Sequence, residues 1–524
     1  MSSPAIPKSP ELSDKNKKYD RQIRLWGERG QTLLEGAQVC LINVNALGTE
    51  VLKGIVLPGV GGFTIVDAGI VTDEDIGCNF FLDQSSLGLS RAKAAMQLLQ
   101  ELNPDVRGDY VDESVEYLLQ NNPDFFRAFS VVVASSIKET TIIALSEKLW
   151  ELEVPFIFCR SVGFISTARL QVKEHCVVES HPDNKQKDLR LHHPFPSLKE
   201  HLESSDISFK VPWLCVLYKY WLKWRGNDET KIPKTYKEKL ELKKLIQSGM
   251  TKDEENYEEA VVAVNSSFAG GRPTDNLQKI LDDESCNNLT KQSKLFWILV
   301  RSLKDFLNAD GDGWLPVPGV LPDMTAETAH YINLQNIYRS QANHDASLVY
   351  HRAQNHLKTL NLSSDLITES DVKLFCREAA TISLIRGTKI ADEYEKCTQN
   401  THSIASELEM PNSLMEYYVV LRAFDRFQSE HGGVPGECHI EADTARIKSI
   451  ANKLLSDWGV THPFSDELAH EICRYGGTEI HSVSAFMGGC VAQEVIKMIT
   501  QQYQPVNNTL IYSAITSSTA TFQM

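Results

Sequence analysis

The stretch Asn43-Val-Asn45-Ala-Leu-Gly48 stands where a phosphate-binding turn would be, between an apolar run, Val39-Cys-Leu-Ile42, and a helical pattern. In such a unit glycines let the backbone approach a phosphate, and the first helical N–H groups hold the anion. Set in G-x-G-x-x-G register, the turn keeps only Gly48, and Asn43 and Asn45 place side chains where phosphates would lie. Asp67, at the end of the next strand run, has the position of a ribose-binding acid. The turn is either a weak nucleotide site or part of a nucleotide-type fold that no longer binds nucleotide. The missing glycines favour the second.

Thiol chemistry is the other candidate. A nucleophilic cysteine must be exposed and reactive as thiolate. Cys176 follows His175, and Cys397 precedes Thr398 beside the acidic stretch Asp392 to Lys396. Acidic neighbours raise a thiol pKa, which argues against Cys397. Cys40, Cys159, Cys215 and Cys490 lie in apolar runs and read as core. The 11 cysteines never form CxxC, so neither a zinc knuckle nor a disulfide framework is expected, and no metal site.

The elements that must position these residues alternate. Phe63 to Val66 is a second strand run, Ser90 to Leu102 a helix, and Ser130 to Val133 and Val154 to Cys159 are further strands. Strands alternating with helices predict an α/β, Rossmann-like domain with a mostly parallel sheet. Tyr19, Ile23 and Trp26 share one face of an earlier helix. From about residue 173 to 475 helical periodicity dominates: Tyr331, Leu334, Tyr338 and Ala342 line one helix, and Tyr417, Val420, Leu421, Phe424 and Phe427 another. Ser482 to Thr500 is a helix with Val483, Phe486, Met487, Cys490, Val491, Val495 and Met498 inward, and Thr509 to Tyr512 a last strand. The expected division is a disordered lead over 1–18, the first part of the α/β domain over 19–172, a mainly helical insertion over 173–475, and the rest of the α/β domain over 476–524.

With 53 basic against 69 acidic residues, the net charge of −16 disfavours nucleic acid and anionic lipid as main partners. The apolar helical stretch Trp213 to Trp224 is too short to span a bilayer and is broken by Lys219 and Lys223. No hydrophobic signal region opens the sequence, so a cytoplasmic or nuclear protein without membrane insertion is expected.

The segments Lys18 to Gly27, Leu52 to Asp67, Leu315 to Tyr338 and Glu479 to Lys497 resemble the ubiquitin-activating enzyme family, and within it the regulatory-subunit branch that serves neddylation. That family adenylates a ubiquitin-like modifier with ATP and magnesium, carries it as a cysteine thioester, and passes it to a conjugating enzyme. The active half of the family has a glycine-rich turn, D-x-D followed by an Asn-Arg-Gln-Phe run, a phosphate-contacting lysine and a metal-holding aspartate. Here the corresponding positions read Asn43 and Asn45, Asp67-Ala-Gly69 with Gly77-Cys-Asn-Phe80, Leu89, and Ser135-Ser136. The resemblance therefore implies an inactive half, binding no cofactor itself, whose obligate partner is a catalytic subunit holding ATP and magnesium. It places Arg21 as an arginine reaching the partner's nucleotide in trans, with 59–72 and 323–340 expected at the interface. Cys397-Thr398 echoes the catalytic cysteine's Cys-Thr but lacks its preceding proline context, and the insertion is expected to lack a catalytic cysteine. Gly488-Gly489, unfavourable inside a helix, fits either tight packing within the domain or contact with the partner half. A regulatory subunit for the SUMO modifier agrees less well with so long an insertion. A scaffold for amyloid-precursor-type receptor tails is the reading from another class.

Overall fold

The computed structural model describes residues 17–183, 187–206, 211–228, 230–250, 254–395 and 401–524. The chain forms two compact units, one of residues 1–175 with 385–524 and one of residues 176–384.

The first unit is built on an eight-stranded sheet. Helix α1 (Asp20–Gly36) leads into strand β1 (Gln38–Ile42), helix α2 (Ala46–Val56) and strand β2 (Gly62–Val66). Next come α3 (Asp73–Cys78), α4 (Arg91–Glu101), β3 (Arg107–Val111), α5 (Val115–Asn121), β4 (Val131–Ser135), α6 (Glu139–Glu151), β5 (Phe156–Val162) and β6 (Ile165–Gln171). After the second unit the chain returns with α7 (Ile390–Glu395), α8 (Met415–His431), α9 (Ile440–Asp457), α10 (Asp466–Tyr475) and α11 (His481–Thr500), then strands β7 (Thr509–Ser513) and β8 (Ser518–Phe522). The strand order is β8-β7-β6-β5-β4-β1-β2-β3. From β5 through β3 the neighbours are parallel, and β6, β7 and β8 pair antiparallel. The connections diverge on either side of β1, between β2 and β4. That divergence makes a crevice at the carboxyl ends of the strands, where α/β sheets place ligands.

The apolar runs read from the sequence are buried strands because both faces are covered. Val39, Leu41, Phe63 and Ile65 pack with Leu47, Val51, Val491 and Val495 of α2 and α11. Cys40, Ile42, Val132 and Phe158 pack on the other face with Ile142 and Leu145 of α6. Residues 385–475 do not belong with the helical insertion expected over 173–475: they cluster with the sheet. The cause is a core in which Val420 and Phe424 of α8, Ile447 and Ile472 meet Val162, Ile165, Ile511 and Phe522 of the sheet.

The lead expected over 1–18 lies outside the described residues up to residue 16, but Lys18 is fixed by Asn103 Oδ1 at 2.6 Å and Asp105 at 2.7 Å. Phe486, expected inward, is exposed and lies against Tyr512 with ring centroids 4.1 Å apart. Cys490 is half-buried rather than core.

The second unit is mainly helical. Its longest helix, Thr328–Thr359, buries Leu334 and Tyr338, while Tyr331 and Ala342 of the expected face are half-buried. Leu295–Ala309 and Trp213–Arg225 supply much of the remaining core. No helix among the described residues is long and apolar enough to cross a membrane.

Candidate functional site

The β1–α2 turn is closed by the chain's own groups. Asn43 takes the left-handed conformation, φ 65°, that a glycine would supply. Its Nδ2 donates to the Ser135 carbonyl at 2.6 Å, and its Oδ1 accepts from Arg91 Nη2 at 2.7 Å. Asn45 caps α2, its Oδ1 accepting from Gly48 N at 2.9 Å. Ala46 N donates to Glu479 Oε2 at 2.9 Å, and Asn45 Nδ2 to Glu479 Oε1 at 2.7 Å. The donors at the head of α2 are thus engaged by Asn45 and by a carboxylate that arrives just before α11.

Asp67 is buried and fully engaged. Val44 N and Gly69 N donate to it at 2.9 and 2.7 Å, and Arg91 forks onto both its oxygens at 2.9 and 3.1 Å. Arg91 also reaches Asp75 Oδ1 at 3.0 Å. Burial works against the Arg91 charge, but Asp67 and Asp75 outweigh it and raise its pKa above the ordinary arginine value. Glu479 shows the opposite balance. Burial pushes its carboxyl up to about 7, against the N–H groups of Leu47 and Ala46 and the charge of Arg91.

Asp67 spends its oxygens on Arg91 and two backbone N–H groups, and the position expected to hold metal is Ser135-Ser136. Among the described residues no group of three or more His, Cys, Asp or Glu could hold a metal ion. Leu89 is exposed. An open cleft remains beside the turn, bounded by Asn43, Asp67, Ser114, Ser136, Lys138 and Gln428.

Arg21 lies on the first arm of α1, before a break at Gly27, whose φ of 71° lies in the region that favours glycine. The arm is pinned at both ends. Asn103 Nδ2 donates to the Tyr19 hydroxyl at 3.0 Å, and Gln502 Nε2 to the Trp26 carbonyl at 2.8 Å. Asp20 is taken by Arg24 at 2.9 Å, and Arg21 is exposed with no hydrogen bond or ion pair among the described residues.

Of the tempting cysteines, Cys176 is half-buried beside a buried His175, and Cys397 lies outside the described residues. Cys40, Cys159 and Cys215 are buried, and burial raises the Cys159 and Cys215 thiols to about 12 and about 11. Cys438 is the exposed cysteine among the described residues, which sequence reasoning passed over. The segment 59–72, expected at the interface, is divided between core and surface. Val60, Gly62, Phe63, Ile65, Val66 and Asp67 are buried inside the chain's own core, and only Ala68, Ile70 and Thr72 are exposed. Most of 323–340 is exposed or half-buried.

A mostly parallel Rossmann-like sheet, antiparallel at one edge, with a crevice where connections diverge and a long helical excursion before the final helix and strands, defines an adenylation-type protein. The family model described as the ThiF family matches residues 19–524, and the chain belongs to that family. Within it the chain groups with proteins named NEDD8-activating enzyme E1 regulatory subunit. That of Drosophila melanogaster is 57% identical over 526 residues, covering 100% of both chains. That of Xenopus laevis is 45% identical, over 97% of this chain and 99% of its own, and that of Danio rerio 44%, over 98% and 99%.

Proposed function

We propose that this chain is the non-catalytic half of a heterodimeric enzyme that activates the neddylation modifier, and that its partner subunit holds ATP, magnesium and the thioester-forming cysteine. One observation carries the division of labour: the ion-paired knot of Arg91 with Asp67 and Asp75 occupies the groups an adenylating half would turn on nucleotide and metal. The family membership supports the pairing. In this reading the chain completes the dimer, helps present the ubiquitin-like modifier, and meets the conjugating enzyme transiently. Arg21 extends to the partner's nucleotide, where a guanidinium stabilises charge on the transferring phosphates.

Calorimetry with ATP–magnesium tests this on three samples: the isolated chain, the catalytic partner and the reconstituted pair. Binding is expected with the pair, and none with this chain alone. Micromolar binding by the isolated chain would refute the division.

A further inference from the structure

Glu479 is an acid without a basic side-chain partner. Among the described residues no lysine or arginine pairs with it, and its hydrogen-bond donors are the Asn45 amide and the head of α2. Both its oxygens accept, as a phosphate's would, and a helix N-terminus stabilises either anion. The backbone around it is held in place. Gly163 N donates to the Thr478 carbonyl at 2.8 Å, and Glu479 itself bridges to Gly163. A second donor lies beside the first turn of α2. Asn79 is 1% exposed, its Oδ1 takes the hydroxyl of Thr49 in the first turn of α2 at 3.1 Å, and its Nδ2 has no partner among the described residues.

We infer that Glu479 is a built-in substitute for phosphate: its carboxylate occupies the anion position of the β1–α2 turn, and removing it uncovers a latent site for pyrophosphate-type anions. The inference rests on the reading of this turn as closed. It adds that the closure is a displaceable contact made by one side chain, beyond the loss of glycines. The groups that would receive the anion are Ala46 N, the Asn45 and Asn79 amides, and the positive field of Arg91.

The test uses the full chain at pH 8, where Glu479 is mostly ionised, with inorganic pyrophosphate followed by calorimetry and by the thermal midpoint. Sodium chloride at matched ionic strength removes the general salt effect. Wild type should respond to pyrophosphate no more than to chloride. Glu479→Ala should bind saturably, at least about tenfold tighter than wild type, and formate should raise its midpoint by restoring a carboxylate to the gap. Glu479→Gln keeps the bulk without the charge and should show a smaller gain, which still decides the matter if the alanine variant does not fold. Titrations of the variants that match wild type overturn the inference. They would leave the subunit proposal standing, since that is decided by ATP binding to the reconstituted pair.

Discussion

Gly488 of α11 stands against Glu50 of α2 so closely that an added Cβ would lie 2.6 Å from the Glu50 Cβ and 3.1 Å from its carbonyl carbon. One turn on, a Cβ on Gly54 would meet the Ala492 Cβ at 2.5 Å. Small residues let the two helices cross in near contact, which settles one of the two explanations for the glycine pair. Gly488 serves packing within the domain, while Gly489 has nothing within 4 Å.

The pair therefore predicts opposite signs. Gly488→Ala should destabilise by about 1–3 kcal/mol through overpacking, more than the helix-propensity gain of ~1 kcal/mol. Gly489→Ala should stabilise the isolated chain by up to about 1 kcal/mol. Urea unfolding of both variants decides it, and equal signs would contradict the packing account.

Arg21→Ala removes an exposed side chain with no partner among the described residues, so stability should stay within about ±0.5 kcal/mol and the heterodimer should still assemble. Pyrophosphate exchange by the reconstituted pair should slow, by less than the ~10³–10⁵ typical of trans arginines, because the partner's own groups share the task. Arg21→Lys should restore only part, lacking the planar fork. Wild-type exchange by the alanine variant would remove Arg21 from catalysis.

Arg160 and Asp425, 2.6 Å apart and both nearly inaccessible, tie β5 to α8. The Tyr394 hydroxyl donates to Asp425 at 3.0 Å, and Gln428 accepts from Arg160 at 2.9 Å. Asp425→Ala strands the buried guanidinium and should cost about 3–5 kcal/mol, whereas replacing both residues by apolar ones, Arg160→Met with Asp425→Leu, should cost far less. Denaturation midpoints of the single and double variants give the comparison.

The raised Glu479 carboxyl implies a pH slope. Between the ordinary glutamate value and about 7 the folded chain holds a proton that the unfolded chain has released, so this group's stability contribution falls as pH rises through that window and levels off above it. From pH 5.5 to 8, wild type should lose about 1–2 kcal/mol relative to Glu479→Gln. Parallel urea curves for the two proteins across that range would mean that Glu479 titrates near its ordinary value.

The β1–α2–β2 unit was readable because its apolar runs and glycine stops are local. Strand β6 was not. Its residues Ile165 to Gln171 are all buried yet include Ser166, Thr167 and Arg169, and the arginine is tolerated there because Glu393 of α7 meets it at 2.8 Å. That asparagines stand at two of the turn's glycine positions was legible, but what fills the turn was not. Glu479 reaches Asn45 across 434 positions, and Arg91 finds its acids only once the head of α4 meets the end of β2 and α3. Helical periodicity placed Phe486 inward with its neighbours, and the exposed ring against Tyr512 shows that spacing alone does not tell core from rim.

Strand β6 pairs antiparallel with β7 through Ile165 and Ser513. A ribosome adding about 5–20 residues per second takes on the order of 20–70 s to travel from one to the other. Throughout that interval the nascent sheet has β6 as an open edge, with backbone donors and acceptors unpaired on one side. Such an edge is a template for foreign strands until β7 is made and covers it.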